Sequence, residues 1–189
     1  MSEGVQIRVT DAEVLEALSA ARRVAENPAA IMAAIAPYLV FSTQRHIERE
    51  QGPDGAWPRL SPRTARRRKA GYAHMLRVTG RLYASITGDS GADYALAGSN
   101  LEYARIHQFG GTIDMPERQQ AIYQNYDARR DRFDARFRAK TKSNFARDVT
   151  IGAHKVTIPA RPYLYIDETD RAEIPRIAAD VIRREAGLP

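Results

Sequence analysis

Residues 86–111 read ITGDSGADYALAGSNLEYARIHQFGG, and their punctuation decides the fold. Ile86–Thr87 and Asp93–Ala97 have the character of two short antiparallel strands, joined through the turn residues Gly88 to Gly91. Leu101 to Gln108 then changes period. Leu101, Ala104 and Ile106, with Phe109 beyond them, fall at helical spacing, and Gly110-Gly111 ends the run. A hairpin followed at once by a helix, with further helices at both ends of the chain, predicts an α+β fold. The expected architecture is a small antiparallel sheet packed with N-terminal and C-terminal helices.

Upstream, Val5 to Thr10 alternates like a strand, and Thr10 or Asp11 is placed to cap a helix over Ala12–Glu26. Asn27-Pro28 marks a second start, with Asn27 as cap and Pro28 in the first turn, for a helix reaching about Glu50. Pro37 is expected to kink or split that helix. In the turn-rich loop GPDGAWP (52–58), an indole gains little from water, so Trp57 reads as an anchor pinning the loop to the body. Ser61-Pro62 starts a short basic helix that Gly71 can end, and Thr79 or Gly80 opens another, running to Ser85.

Downstream, Thr112 to about Asp148 is dense in Arg and Lys. Tyr123, Tyr126, Phe133, Phe137 and Phe145 recur at mostly helical separations, with Tyr126, Phe133 and Phe137 on one face, which predicts a charged helical excursion with an aromatic stripe. Residues 112–150 therefore read as an inserted arm or long loop within a single domain spanning 1–189. The arm is expected to order when laid across a neighbouring subunit. Val149 to Ile158 has strand character, and Pro159 to Asp167 reads as an ordered irregular segment. Asp170-x-x-Glu173 has the pattern of a capping box for a last helix, with Pro175 close to its start.

The 189 residues carry 29 Lys plus Arg against 23 Asp plus Glu, so an unopposed basic cluster stands out where it occurs. Arg63, Arg66, Arg67, Arg68 and Lys69 form such a cluster, open to phosphate or to an acidic partner surface. With no cysteine, thiolate catalysis, disulfides and cysteine-ligated metals are excluded. His46, His74, His107 and His154 show no metal-binding spacing, and the sequence has no serine elbow, dinucleotide loop or phosphate loop. The reading is of a non-enzymatic protein with no catalytic residues, cofactor or metal. No signal segment or membrane span is expected, which makes a soluble cytoplasmic protein the default.

Three stretches, taken in order, resemble the phage virion morphogenesis family, which includes tail completion proteins of contractile-tailed and Mu-like phages. They are PDGAWPRLSPRTARRR (53–68), LRVTGRLYASI (76–86), and the pair YARIHQFGG (103–111) and IPARPYLYI (158–166). Tyr165 stands where the family usually has glycine. The resemblance implies a small α+β virion protein that completes tails or joins them to heads at the neck or tail end. It implies assembly as a ring, often hexameric, against neighbouring tail, neck or connector proteins. By position, Trp57, Leu60 and Thr64 would secure the first loop and its helix, and Thr79, Gly80 and Leu82 the turn into the next. His107, Gln108, Phe109, Gly110, Arg161, Pro162 and Leu164 would organise the shared core or a subunit contact. Two other readings remain open: a DNA-contacting connector using the basic 63–69 segment, and an assembly chaperone absent from the finished virion.

Overall fold

A computed structural model describes residues 12–68 and 74–187 and shows an α+β protein divided into two compact units. The predicted strand 5–10, its cap at Thr10 or Asp11, Lys69 and the stop at Gly71 lie outside the described residues.

The first unit joins residues up to Gly110 with those from Pro159 onward. Helix α1 (Ala12–Glu26) leads into α2 (Ala29–Arg49), the longest helix described. Asn27 does not cap α2. Pro28 holds that position, and no side-chain cap bond forms. Nor does Pro37 split the helix, because apolar packing along its length offsets the one backbone hydrogen bond that proline cannot donate. A tight hairpin of β1 (Gln51–Gly52) and β2 (Gly55–Ala56) follows, then α3 (Pro62–Arg67). The Ser61 side chain accepts the Thr64 amide and Pro62 opens α3, the expected start. Helix α4 (Arg81–Ala84) leads into the hairpin of β3 (Ile86–Ser90) and β4 (Ala95–Ser99), and α5 (Ala104–Phe109) follows.

The last helix, α6 (Glu168–Glu185), begins one turn before the predicted capping box. Asp167 is its N-cap: its side chain takes the Asp170 amide while Asp170 reaches back to the Asp167 amide, so the box is Asp167–Asp170.

Two apolar clusters flank α2. Ile31 and Ile35 meet Val181 of α6, joined by Val24, Leu39 and Ile177. Further along, Ile47, Trp57, Leu82, Ile86, Ala104 and Tyr163 close a second cluster, each worth about 1.5–3 kcal/mol for a large side chain removed from water. The β3–β4 hairpin lies flush on α2, since a Cβ on Gly88 would stand 3.0 Å from the Ala36 carbonyl oxygen.

The second unit, residues 111–158, is not the predicted charged helix. It is a two-stranded antiparallel ribbon. β5 (Gly111–Met115) pairs with β10 (His154–Ile158), and β6 (Arg118–Gln124) with β9 (Phe145–Ile151). One register runs through both pairs, with Gly111 opposite Ile158 and Arg118 opposite Ile151. The break between them falls at Pro116, which has no amide to give to a ladder. A smaller hairpin, β7 (Tyr126–Asp127) with β8 (Arg132–Phe133), closes the tip. Arg, Gln and Ala favour a helix locally, but cross-strand pairing between distant segments outweighs that preference.

The aromatic stripe is redrawn accordingly. Tyr126, Phe133 and Phe145 form a trio with ring centroids 4.9–6.4 Å apart, while Phe137 stands outside it and is 71% exposed.

Candidate functional site

The segment 159–167 has no regular structure, so its backbone groups need partners from elsewhere. The stretches carrying the family resemblance supply them. The Gln108 side chain acts as a substitute peptide group: Oε1 accepts the amides of Tyr163 (2.9 Å) and Leu164 (3.0 Å), and Nε2 donates to the Leu164 carbonyl (3.0 Å). The Arg161 amide donates to the His107 carbonyl at 2.7 Å. Trp57 Nε1 donates to the Pro162 carbonyl at 2.8 Å, and Arg161 Nη2 to that of Pro58 at 3.0 Å. Tyr163, 1% exposed, fills the space between and donates to the Ala104 carbonyl.

Trp57, His107, Gln108, Arg161, Pro162 and Leu164 are thus brought together in one clamp. Leu82 shares the same buried cluster, and Leu60 is half-buried. Thr64 and Thr79 serve at helix starts instead: Thr64 bonds Ser61, and Thr79 accepts the Arg81 amide. Gly80 (φ 70°) and Gly110 (φ 69°) hold the left-handed conformations that bound α4 and α5. Phe109 departs from its inward expectation. It lies at the last position of α5 and is 71% exposed, because Ala104 and Gln108 take the buried face.

Beside the clamp lies a polar cluster that sequence reasoning missed. His46 (1% exposed) and Asp170 (0% exposed) are buried where α2 meets the start of α6. Asp170 Oδ1 accepts from Ser42 (2.6 Å) and Tyr38 (2.8 Å), and its Oδ2 from the Asp167 amide. Arg45 Nη2 stands 3.3 Å from a carboxylate oxygen of both Asp167 and Asp170. The His46 Nδ1 faces the Tyr163 carbonyl at 3.1 Å, its Nε2 faces Asp167 at 3.3 Å, and Tyr165 stacks on the ring at 3.9 Å. A locatable signal existed: Ser42, Arg45 and His46 fall on one face of an otherwise apolar helix.

Burial, then the Asp170 hydrogen bond, pushes the Tyr38 phenol up to about 12. Burial also raises the Asp167 carboxyl, but the Asp170 amide, His46 and Arg45 together bring it below the ordinary carboxylate value. His107 is lowered by burial and then by the charge of Arg161. The possible ligand atoms of His46, Asp167 and Asp170 lie within 4.8 Å of one another, a donor set of the kind that holds a cation. Arg45 already brings positive charge there, however, and hydrogen bonds engage both Asp170 oxygens, so the cluster acts as a charge-compensated latch between helices.

The remaining candidates sit at the surface. Arg63 and Arg66 are exposed on α3, and Arg68 donates to the His74 carbonyl. The Arg67 side chain and Lys69 lie outside the description. Among the described residues, no single helix is long and apolar enough to cross a membrane.

Comparison with known proteins agrees with the motif reading. The phage virion morphogenesis family model matches residues 9–183. A protein of Escherichia phage Mu named "Putative capsid assembly protein G" is 33% identical over 150 residues, covering 77% of this chain and 73% of the relative. No solved structure matches the chain. The match from residue 9 to residue 183 takes in both halves of the clamp and the ribbon between them, and the chain belongs to the phage virion morphogenesis family, with a role in phage assembly or structure.

Proposed function

We propose that this protein is a non-enzymatic structural part of the phage particle that completes the tail or joins it to the head, working as a closed ring against neighbouring tail or neck proteins. The observation that carries the reading is Phe109. The family motif folds His107 and Gln108 into a rigid clamp yet leaves the adjoining phenyl 71% exposed, at the end of a fixed helix. An apolar ring held rigidly in water is what a buried interface anchor looks like before its partner arrives. The name of the phage Mu relative, which refers to capsid assembly, supports a role in building the particle. The titratable groups of the buried latch are committed to hydrogen bonds and ion pairs within the fold, which suits a scaffold better than a catalyst.

Copy number in purified virions tests this directly. Several copies per particle, lost with Phe109→Asp while the isolated variant melts normally, is the expected result. A single copy would end the ring reading, and absence from virions would favour a chaperone that leaves after assembly.

A further inference from the structure

The tip of the ribbon is strongly and one-sidedly basic. Residues 125–147 hold eight Arg and Lys against three Asp. All three acids are engaged inside the tip. Asp127 takes the Arg129 amide and pairs with Arg130, Asp131 takes the Tyr126 hydroxyl, and Asp134 pairs with Arg138 and takes the Arg136 amide. Among the described residues, Arg129, Arg132, Arg136, Lys140, Lys142 and Arg147 make no ion pair, and all six are exposed. Phe137, next to Arg136 in sequence, is 71% exposed.

The tip is also firmly built. Asn144 accepts the Tyr126 amide and donates to its carbonyl, and the Asp134 and Arg138 amides bond back to the carbonyls of Asn125 and Tyr123. The cations are therefore displayed on an ordered surface.

We propose that this tip is a second functional surface, one that contacts the phosphate backbone of duplex DNA. A two-stranded ribbon is one of the few protein elements narrow enough to enter a duplex groove. Duplex DNA presents one negative charge per roughly 1.7 Å of its axis, a density that matches a cluster of unpaired cations. An exposed phenyl beside them suits apolar contact with the groove or a base step. On the chain's last helix, Glu168, Glu173 and Asp180 are each paired with an arginine of that same helix, whereas among the described residues Glu185 and the exposed Asp54, Asp93, Glu102 and Glu117 make no ion pair, so binding to an acidic surface is an outcome the test must separate. The proposal is independent of the ring reading and uses a different surface from the 63–69 helix.

The test uses the full-length protein and a short fluorescent duplex, titrated between about 50 and 200 mM salt. One variant combines Arg129→Gln, Arg132→Gln, Lys140→Gln and Lys142→Gln. A control combines Arg59→Gln, Arg63→Gln and Arg66→Gln. The tip variant should lose more than about tenfold in affinity at low salt, with the log–log salt slope falling by roughly 0.9 per phosphate contact removed, while the control stays within about twofold. Phe137→Ala should weaken binding without changing the slope. Unchanged circular dichroism would confirm that each variant is folded. Four results would overturn the proposal: no binding by the unaltered protein at low salt, a loss confined to the α3 control, tighter binding to a single strand of the same sequence, or equal competition by polyglutamate, which would mark the partner as an acidic protein.

Discussion

The clamp on residues 159–167 and the basic ribbon are held together in opposite ways. In the clamp and the latch beside it, each decisive hydrogen bond joins residues far apart in sequence: Gln108 to Tyr163 and Leu164, Trp57 to Pro162, and, in the latch, Ser42 and Tyr38 to Asp170. These groups are buried or half-buried, and Gln108 and Asp170 each hold several partners. In the ribbon tip the side-chain bonds are at the surface and span less of the chain, from Tyr126 to Asp131 and Asp134 to Arg138 up to Asn144 with Tyr126. Buried and shared contacts make a structure that fails as a whole. Exposed contacts of shorter span make one that tolerates loss and leaves its charges free for another molecule.

That contrast can be broken by substitution, beginning where the effect should be largest. Trp57→Ala removes a 4% exposed indole and leaves the Pro162 carbonyl without its donor, and should cost about 3–5 kcal/mol in urea unfolding. A loss below about 1 kcal/mol would mean that the clamp relaxes around the cavity as easily as a surface site. Next is Asp170→Ala, which leaves Arg45 and His46 with Asp167 as their only carboxylate, takes the acceptor from Ser42 and Tyr38, and removes half of the α6 capping box. It should cost about 3 kcal/mol, measured the same way.

In the ribbon, Phe145→Ala breaks two ring contacts of a 38% exposed side chain and should cost only about 1 kcal/mol. By hydrogen exchange, the lost protection should fall on 118–124 and 145–151 and spare α2. Loss spreading to α2 would show that the two regions are not separable in the way their bonding suggests. The smallest effect should come from His107. Burial and then Arg161 disfavour its charged form in the fold, so its contribution is complete above the unfolded value of about 6.5 and is lost as pH falls below it. Unfolding midpoints at pH 7 and pH 5 should therefore differ more in the native protein than in His107→Gln. Equal differences would remove His107 as the cause.

What could be read from the sequence follows the same division, with an instructive reversal. Local signals were legible: Ser61-Pro62 at a helix start, the existence of the β3–β4 hairpin (its turn falls at Gly91–Tyr94, with Gly88 inside β3, not at Gly88–Gly91), and Trp57 as an anchor where polar turn residues gave it no reason to be exposed. The clamp was reachable only as a resemblance, because nothing near Gln108 says that its amide will stand in for a peptide group more than fifty residues away. The latch was hidden for the same reason, since Ser42 and Asp170 meet only in three dimensions. The ribbon was misread although its tip contacts span no more than about twenty residues. Phe133 and Phe137, four residues apart, looked like one helix face, whereas Phe133 actually meets Phe145 across the tip. Strand pairing depends on a partner segment, and a single stretch of chain does not display it.

The placement of the clamp also fixes an order of events during synthesis. The side-chain hydrogen bonds of Trp57 and Gln108, and the main ones of His46, go to residues 162–170, beyond the ribbon in sequence. As the chain leaves the ribosome, the first unit must therefore wait, its indole and tyrosine sites unfilled, while residues 111–158 are added. At roughly 5–20 residues per second that wait lasts a few seconds. The ribbon needs nothing from downstream of Ile158 for its own pairing, so it can close before the unit whose chain it interrupts.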